Sequence, residues 1–148
     1  CSSLINIVIP SFAASIGSYD FIKCSSLKNI NIPSLLVKIS SYAFSLCSSL
    51  RNVIFEKSSH IKVIEESAFR GCSSLSTISL PDSVVYIGDY VFKGCKSLKK
   101  VTNTSSLIYV GEYAFKDCCL LSKILIPNTT EIGKDALKDC RLIDKNKP

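Results

Sequence analysis

Apolar residues return along this chain in blocks of fixed shape. The stretch Leu27-Lys28-Asn29-Ile30-Asn31-Ile32 is one of six of the form L-x-x-I-x-I. Its first apolar position reads Leu4, Leu27, Leu50, Leu75, Leu98, Leu121. The next reads Ile7, Ile30, Val53, Ile78, Val101, Ile124, and the last Ile9, Ile32, Phe55, Leu80, Asn103, Ile126. Alternation of this kind predicts a short strand with one buried face. Pro10, Pro33, Pro81 and Pro127 follow at once and end the strand, because proline cannot donate a ladder hydrogen bond. A second apolar block comes later: Ile16, Ile39, Ile64, Ile87, Val110, Ile132, then Phe21, Phe44, Phe69, Phe92, Phe115, Leu137. The glycines after the isoleucines (Gly17, Gly88, Gly111, Gly133) are expected to make tight turns at positive φ. The Y-A-F segment is expected to give Ala and Phe to the core from a helical turn or bend.

The blocks share one period. Cys1, Cys24, Cys47, Cys72, Cys95, Cys118 and Cys140 are spaced 23, 23, 25, 23, 23 and 22 residues apart, which marks one position of an internal repeat. One such unit cannot bury its own apolar face. Stacked units can, with strands about 4.8 Å apart in a parallel sheet, so that six extend roughly 29 Å. The predicted organisation is a solenoid over residues 1–143, six repeats of 22–25 residues and the start of a seventh, with a polar ending or linker at 144–148.

The run C-S-S-L-x-x-I-x-I-P-x-S-V-x-x-I-G-x-Y-A-F, clearest at Cys72–Phe92, resembles the BspA-like class of leucine-rich repeats. The resemblance covers nearly the whole chain and recurs in register six times. It implies a right-handed superhelix with a parallel β-sheet on the concave face and short turns or helical bends on the convex side. It also implies a surface-displayed adhesion or host-interaction role. Departures are local: Glu56 and two extra residues in unit three, Asn103-Thr104 in place of Ile-Pro in unit five, and one residue fewer in unit six.

Composition changes this picture little. Of the 148 residues 47% are hydrophobic and 20% charged, ample for a core, so disorder is not expected. The net charge of +6 divides evenly between the two halves, with no basic arm, so no nucleic-acid partner is expected. Ser, Lys and Pro interrupt every hydrophobic run short of a membrane span. The sequence lacks Met and opens at the first position of a repeat, and it reads as a piece of a longer protein.

Eight cysteines would ordinarily suggest a disulfide framework. In a stack, however, equivalent cysteines point the same way into the core, which is poor bridging geometry even at a tolerable Cα separation. Free buried thiols are therefore expected. With one His and no C-x-x-C pair, no metal or other cofactor is expected. Cys119 falls outside the ladder and is the thiol expected to be exposed. The tyrosines occupy two repeat positions, Tyr19, Tyr42, Tyr90 and Tyr113 at one and Tyr86 and Tyr109 at the other. They are expected to form a stripe away from the sheet, more as packing than as a partner anchor. His60 lies in a charged loop of the expanded unit and is expected to be solvated. Asn103-Thr104-Ser105 and Asn128-Thr129-Thr130 match the glycosylation sequon.

The outward strand positions are the candidate ligand-binding face. They are Asn6, Val8, Asn29, Asn31, Asn52, Ile54, Thr77, Ser79, Lys100, Thr102, Lys123 and Leu125. Concave sheets are where solenoids usually bind, but the residue pattern equally allows a solvated face with stacked asparagines. Catalysis finds no residue set: no nucleophile–base pair, no facing carboxylates, no phosphate-cradling glycine loop. The expected function is non-enzymatic binding of a protein or glycan ligand by a cell-surface or extracellular adhesin segment. An intracellular scaffold is the alternative, and a spacer the third reading. The uncapped N-terminal unit is expected to favour self-association.

Overall fold

The computed structural model describes residues 1–142; the polar ending expected at 144–148 lies outside them. The chain coils into a parallel β-solenoid in which each repeat is one coil and its strands pair with those of neighbouring coils. Nine short strands run in chain order. They are β1 (Asn29–Ile32), β2 (Lys38–Ile39), β3 (Asn52–Phe55), β4 (Val63–Ile64), β5 (Thr77–Ser79), β6 (Tyr86–Ile87), β7 (Lys100–Thr102), β8 (Tyr109–Val110) and β9 (Glu131–Ile132).

The predicted L-x-x-I-x-I strands are β1, β3, β5 and β7. All pairing is parallel and in register with the repeat: Asn29 faces Asn52, Ile30 faces Val53, Thr77 faces Lys100 and Ile78 faces Val101. Units one and six join this face through the single bridges Asn6 to Asn29 and Lys100 to Lys123. The ladder is interrupted between β3 and β5, across the segment that holds the two extra residues of unit three.

The other side of the coil differs from expectation. There β2, β4, β6, β8 and β9 form a continuous five-stranded parallel sheet of two-residue strands, and no helix occurs among the described residues. The second sheet forms because the inward Ile of each coil stacks on its copy (Ile39, Ile64, Ile87, Val110, each fully buried), which fixes the flanking main chain in register. The Y-A-F segment is a bend whose N–H groups alternate in destination. Tyr42, Phe44 and Leu46 donate to Glu66, Ala68 and Arg70 of the next coil, while Ala43, Ser45 and Cys47 donate three residues back. A helical turn would use all of these groups within one coil and leave the neighbouring coil's carbonyls unpaired.

The core is a set of ladders. Phe21, Phe44, Phe69, Phe92 and Phe115 stack face to face with centroids 5.2–5.6 Å apart. Each such pair adds about 0.5–1.5 kcal/mol beyond the area it buries. In unit five the inward position held by Ile, Phe or Leu in the other units goes to Asn103, which turns to φ 61 and stays exposed, its amide donating to Ser79 Oγ at 3.1 Å. Thr104 is buried instead, its hydroxyl donating to the Leu125 carbonyl.

The glycines after the isoleucines do not sit at positive φ; among the glycines only Gly71 and Gly94 do. Their role is close approach between coils. A Cβ on Gly111 would lie 2.5 Å from Asp89 N and from Gly88 C, and one on Gly133 would lie 2.6 Å from Glu112 N. At Gly17 the nearest group is the movable Asp20 carboxylate, 3.0 Å away. Gly111→Ala is therefore expected to destabilise by about 1–3 kcal/mol, and Gly17→Ala to be near neutral, by urea unfolding. Equal midpoints for the two variants would contradict the close-approach account.

Candidate functional site

Alternation along the strand face places all twelve predicted outward residues at the surface, Thr102 partly covered and the others exposed. Val8, Ile54 and Leu125 are 91%, 56% and 72% exposed, large for aliphatic side chains in a sheet. At the N-terminal end the amides chain along the stack. Asn29 Nδ2 donates to Asn6 Oδ1 at 3.2 Å, and Asn52 Nδ2 donates to Asn29 Oδ1 at 2.6 Å. Asn31, Thr77 and Ser79 continue the polar surface, which becomes basic at Lys100 and Lys123. An open groove of about 920 Å³ crosses the basic end, lined by Lys100, Thr102, Asn103, Lys123, Leu125 and Asn128 among others.

Three exposed cations at the starts of the strand segments, Lys28, Arg51 and Lys99, were not anticipated as part of this face. Period-two alternation predicts them inward or lateral. In the structure each lies just ahead of the strand, held by its own N–H donating to the preceding coil (Lys28 to Ile5, Arg51 to Lys28, Lys99 to Ser76). The available signal was their recurrence one position after the repeat Leu.

The cysteine ladder is built by hydrogen bonds. Cys47, Cys72, Cys95 and Cys118 are buried, reduced, and donate through Sγ to the carbonyls of Phe21, Phe44, Phe69 and Phe92 at 3.0–3.2 Å. Burial pushes the Cys47 thiol up to about 11 and the Cys72 and Cys95 thiols upward as well. A hydrogen bond with Cys95, then burial, raises Cys118. The expectation of unbridged cysteines fails at one place. Cys1, exposed on the first coil, is joined to Cys24, their Cα atoms 4.9 Å apart. Cys119 is exposed, as expected.

The tyrosines form columns on two separate faces. Tyr19 stacks on Tyr42 at 4.9 Å and Tyr90 on Tyr113 at 5.2 Å, with Ser67 breaking the column between them. Tyr86 and Tyr109 stack at 4.7 Å but belong to β6 and β8, so they lie in the second sheet. Arg70 and Lys93 lie over the Tyr90 ring and Lys116 over Tyr113, at 5.5–5.9 Å from the centroids. The rings are thus engaged by the chain's own cations. His60 does not project from a loose loop: its Nδ1 is 2.9 Å from the Ser34 carbonyl, and Glu56 accepts from Ser34 N at 3.2 Å. Asn103 and Asn128 are both exposed, while Thr130 is buried and donates to the Leu107 carbonyl. Among the described residues no group of His, Cys, Asp and Glu converges as metal ligands, and no helix is long and apolar enough to cross a membrane.

This geometry defines a parallel β-solenoid repeat protein with one amide-rich and cationic strand face. The sequence matches the BspA type leucine rich repeat region in six copies, over residues 1–118 and 38–147, and the chain belongs to that family. Solved structures agree. A leucine-rich cell surface protein from Faecalibacterium prausnitzii is 31% identical with a TM-score of 0.72, over 78% of this chain and 31% of that one. The pneumococcal vaccine antigen PcpA is 32% identical with a TM-score of 0.65, over 78% of this chain and 29% of that one. A leucine-rich repeat protein of T. pallidum, 23% identical, shares the fold with a TM-score of 0.68 over 95% of this chain and 78% of that one. The chain thus spans about a third of the length of the first two. Comparison with curated proteins found no match.

Thiol reactivity follows from the ladder. In the native protein iodoacetamide is expected to modify Cys119 within minutes, and Cys47, Cys72, Cys95 and Cys118 only after denaturation. Because the folded-state pKa of Cys47 lies above the unfolded value of about 8.5, its neutral thiol stabilises the fold fully below that pH. That contribution is lost as pH rises toward about 11. Peptide mass mapping that finds Cys72 or Cys95 labelled early would refute the sealed ladder.

Proposed function

We propose that this chain is a non-enzymatic binding segment of a cell-surface protein, an adhesin whose strand face engages a host, matrix or neighbouring-cell protein. The observation that carries the reading is the set of exposed aliphatic residues, Val8, Ile54 and Leu125, at one repeat position among amides and hydroxyls on one side of the stack. Apolar anchors ringed by polar groups are the pattern of protein recognition. Ladders above and below hold the face rigid, so binding would cost little ordering entropy. The description of the similar Faecalibacterium prausnitzii protein as a cell surface protein supports surface display.

An intracellular scaffold would use the same face, and the reduced thiols are the observation in its favour. They weigh little, because a thiol buried in a solenoid core stays reduced in either compartment.

Antibody against the parent protein is expected to label intact source cells, and Ile54→Glu to abolish capture of the partner while leaving the unfolding midpoint within about 0.5 kcal/mol. Labelling that requires permeabilisation would replace the adhesin by the scaffold. Undiminished capture by Ile54→Glu would remove the strand face from the binding site.

A further inference from the structure

The six strand segments (residues 4–9, 27–32, 50–55, 75–80, 98–103 and 121–126) contain five cations and no Asp or Glu, although the chain has twelve acids. The cations are Lys28, Arg51, Lys99, Lys100 and Lys123, all exposed. Two of them, Lys100 and Lys123, are partners across a parallel bridge, an arrangement that destabilises a ladder because like charges stand directly opposite. Among the described residues no ion pair relieves it. The ion pairs among the described residues are Lys38–Glu65 and Lys138–Asp135, both away from the strand face. The contrast with the Tyr90–Tyr113 column is informative, since Arg70, Lys93 and Lys116 there are each seated on a ring. Among the described residues, Lys38, Arg70, Lys93, Lys116 and Lys138 thus each have an internal partner, whereas no cation of the strand face has an ion pair or a ring beneath it.

We propose that the strand face, at its Lys100–Lys123 end, binds an acidic segment of a protein partner. The inference rests on the binding-face reading above and names the partner's chemistry. Carboxylates placed between Lys100 and Lys123 would turn a repulsive pair into an attractive one. Ser122, Thr102 and Asn128 border the same groove as hydrogen-bonding groups, and the exposed Leu125 supplies an aliphatic contact. That contact favours a peptide with aliphatic as well as acidic side chains over an anionic glycan. Sugar rings pack best on aromatic faces, and this face carries no aromatic residue except Phe55, which is partly buried at the far end of β3. Bases of a nucleic acid would likewise lack a stacking platform.

The test is titration of the isotopically labelled chain with poly-L-glutamate at low salt, followed by amide chemical shifts and fluorescence anisotropy. Shifts are expected at Lys99–Thr102 and at 122–125, with affinity falling as salt is raised. Lys100→Glu with Lys123→Glu should weaken binding more than about tenfold, whereas Lys93→Glu with Lys116→Glu, the same change in net charge, should change it less than about twofold. Equal losses in the two double variants would mean unspecific attraction and overturn the proposal. So would heparin shifting these amides where polyglutamate does not, which would assign the site to an anionic glycan. If polyglutamate fails to bind while Ile54→Glu still abolishes partner capture, the acidic preference falls and the binding face stands.

Discussion

The main-chain hydrogen bonding from each coil to the next sets everything else in this molecule. Bends donate to the following coil, the short second sheet donates to the preceding one, and the strands bond to both, so the rise per coil is held at about 4.8 Å on every side at once. Residues at one repeat position are then forced onto their own copies. Phenylalanine rings stack because the backbone brings them to 5.2–5.6 Å, and the asparagine amides chain because their Cα atoms are ladder partners. Gly88, Gly111 and Gly133 are needed where the same constraint drives one coil's backbone against the next.

That register is strong enough to hold local conformations that an isolated segment would avoid. Tyr19, Tyr42, Tyr90 and Tyr113 all sit at φ between 55 and 66, with Ser67 and Asp135 at the equivalent places. A non-glycine residue in this region costs about 1–2 kcal/mol, and it recurs in every coil. It persists because positive φ at this point aims alternate N–H groups at the next coil, and the hydrogen bonds and ring contacts so gained depend on a neighbour being present. Stability of this kind belongs to interfaces between repeats more than to any repeat alone.

This division explains what could be read from the sequence. Residues whose role is set by period and polarity were legible: the strand segments, the inward Leu, Ile and Phe ladders, and the outward face from Asn6 to Leu125. Residues whose role is set by contact with a neighbouring coil were not. The glycines looked like turn formers because glycine's usual use is conformational, but their neighbours decide the matter. The two-residue strands of the second sheet are too short to alternate, so nothing in the pattern announces them. Asn103 reads as a polar residue in a core position, and only the backbone shows it turned out and Thr104 turned in. The Cys1–Cys24 bond joins two positions that the repeat treats alike, so the pattern does not announce it.

The same ladder logic separates positions that can satisfy themselves from those that cannot. An amide is donor and acceptor, so a column of asparagines closes its own hydrogen bonds. An aromatic ring has a face for its copy and accepts a cation from beside it. A thiol finds the carbonyl one coil back. A lysine stacked on a lysine has no such solution, since identical charges repel at any register the backbone allows. Where the repeat places Lys123 next to Lys100, the stack is weaker than it would be with the Asn pair found three coils earlier at the same position. Directly opposed lysines on an acid-free strand face, beside exposed aliphatic groups, are a repulsion that the proposed acidic partner would offset and the stack itself does not.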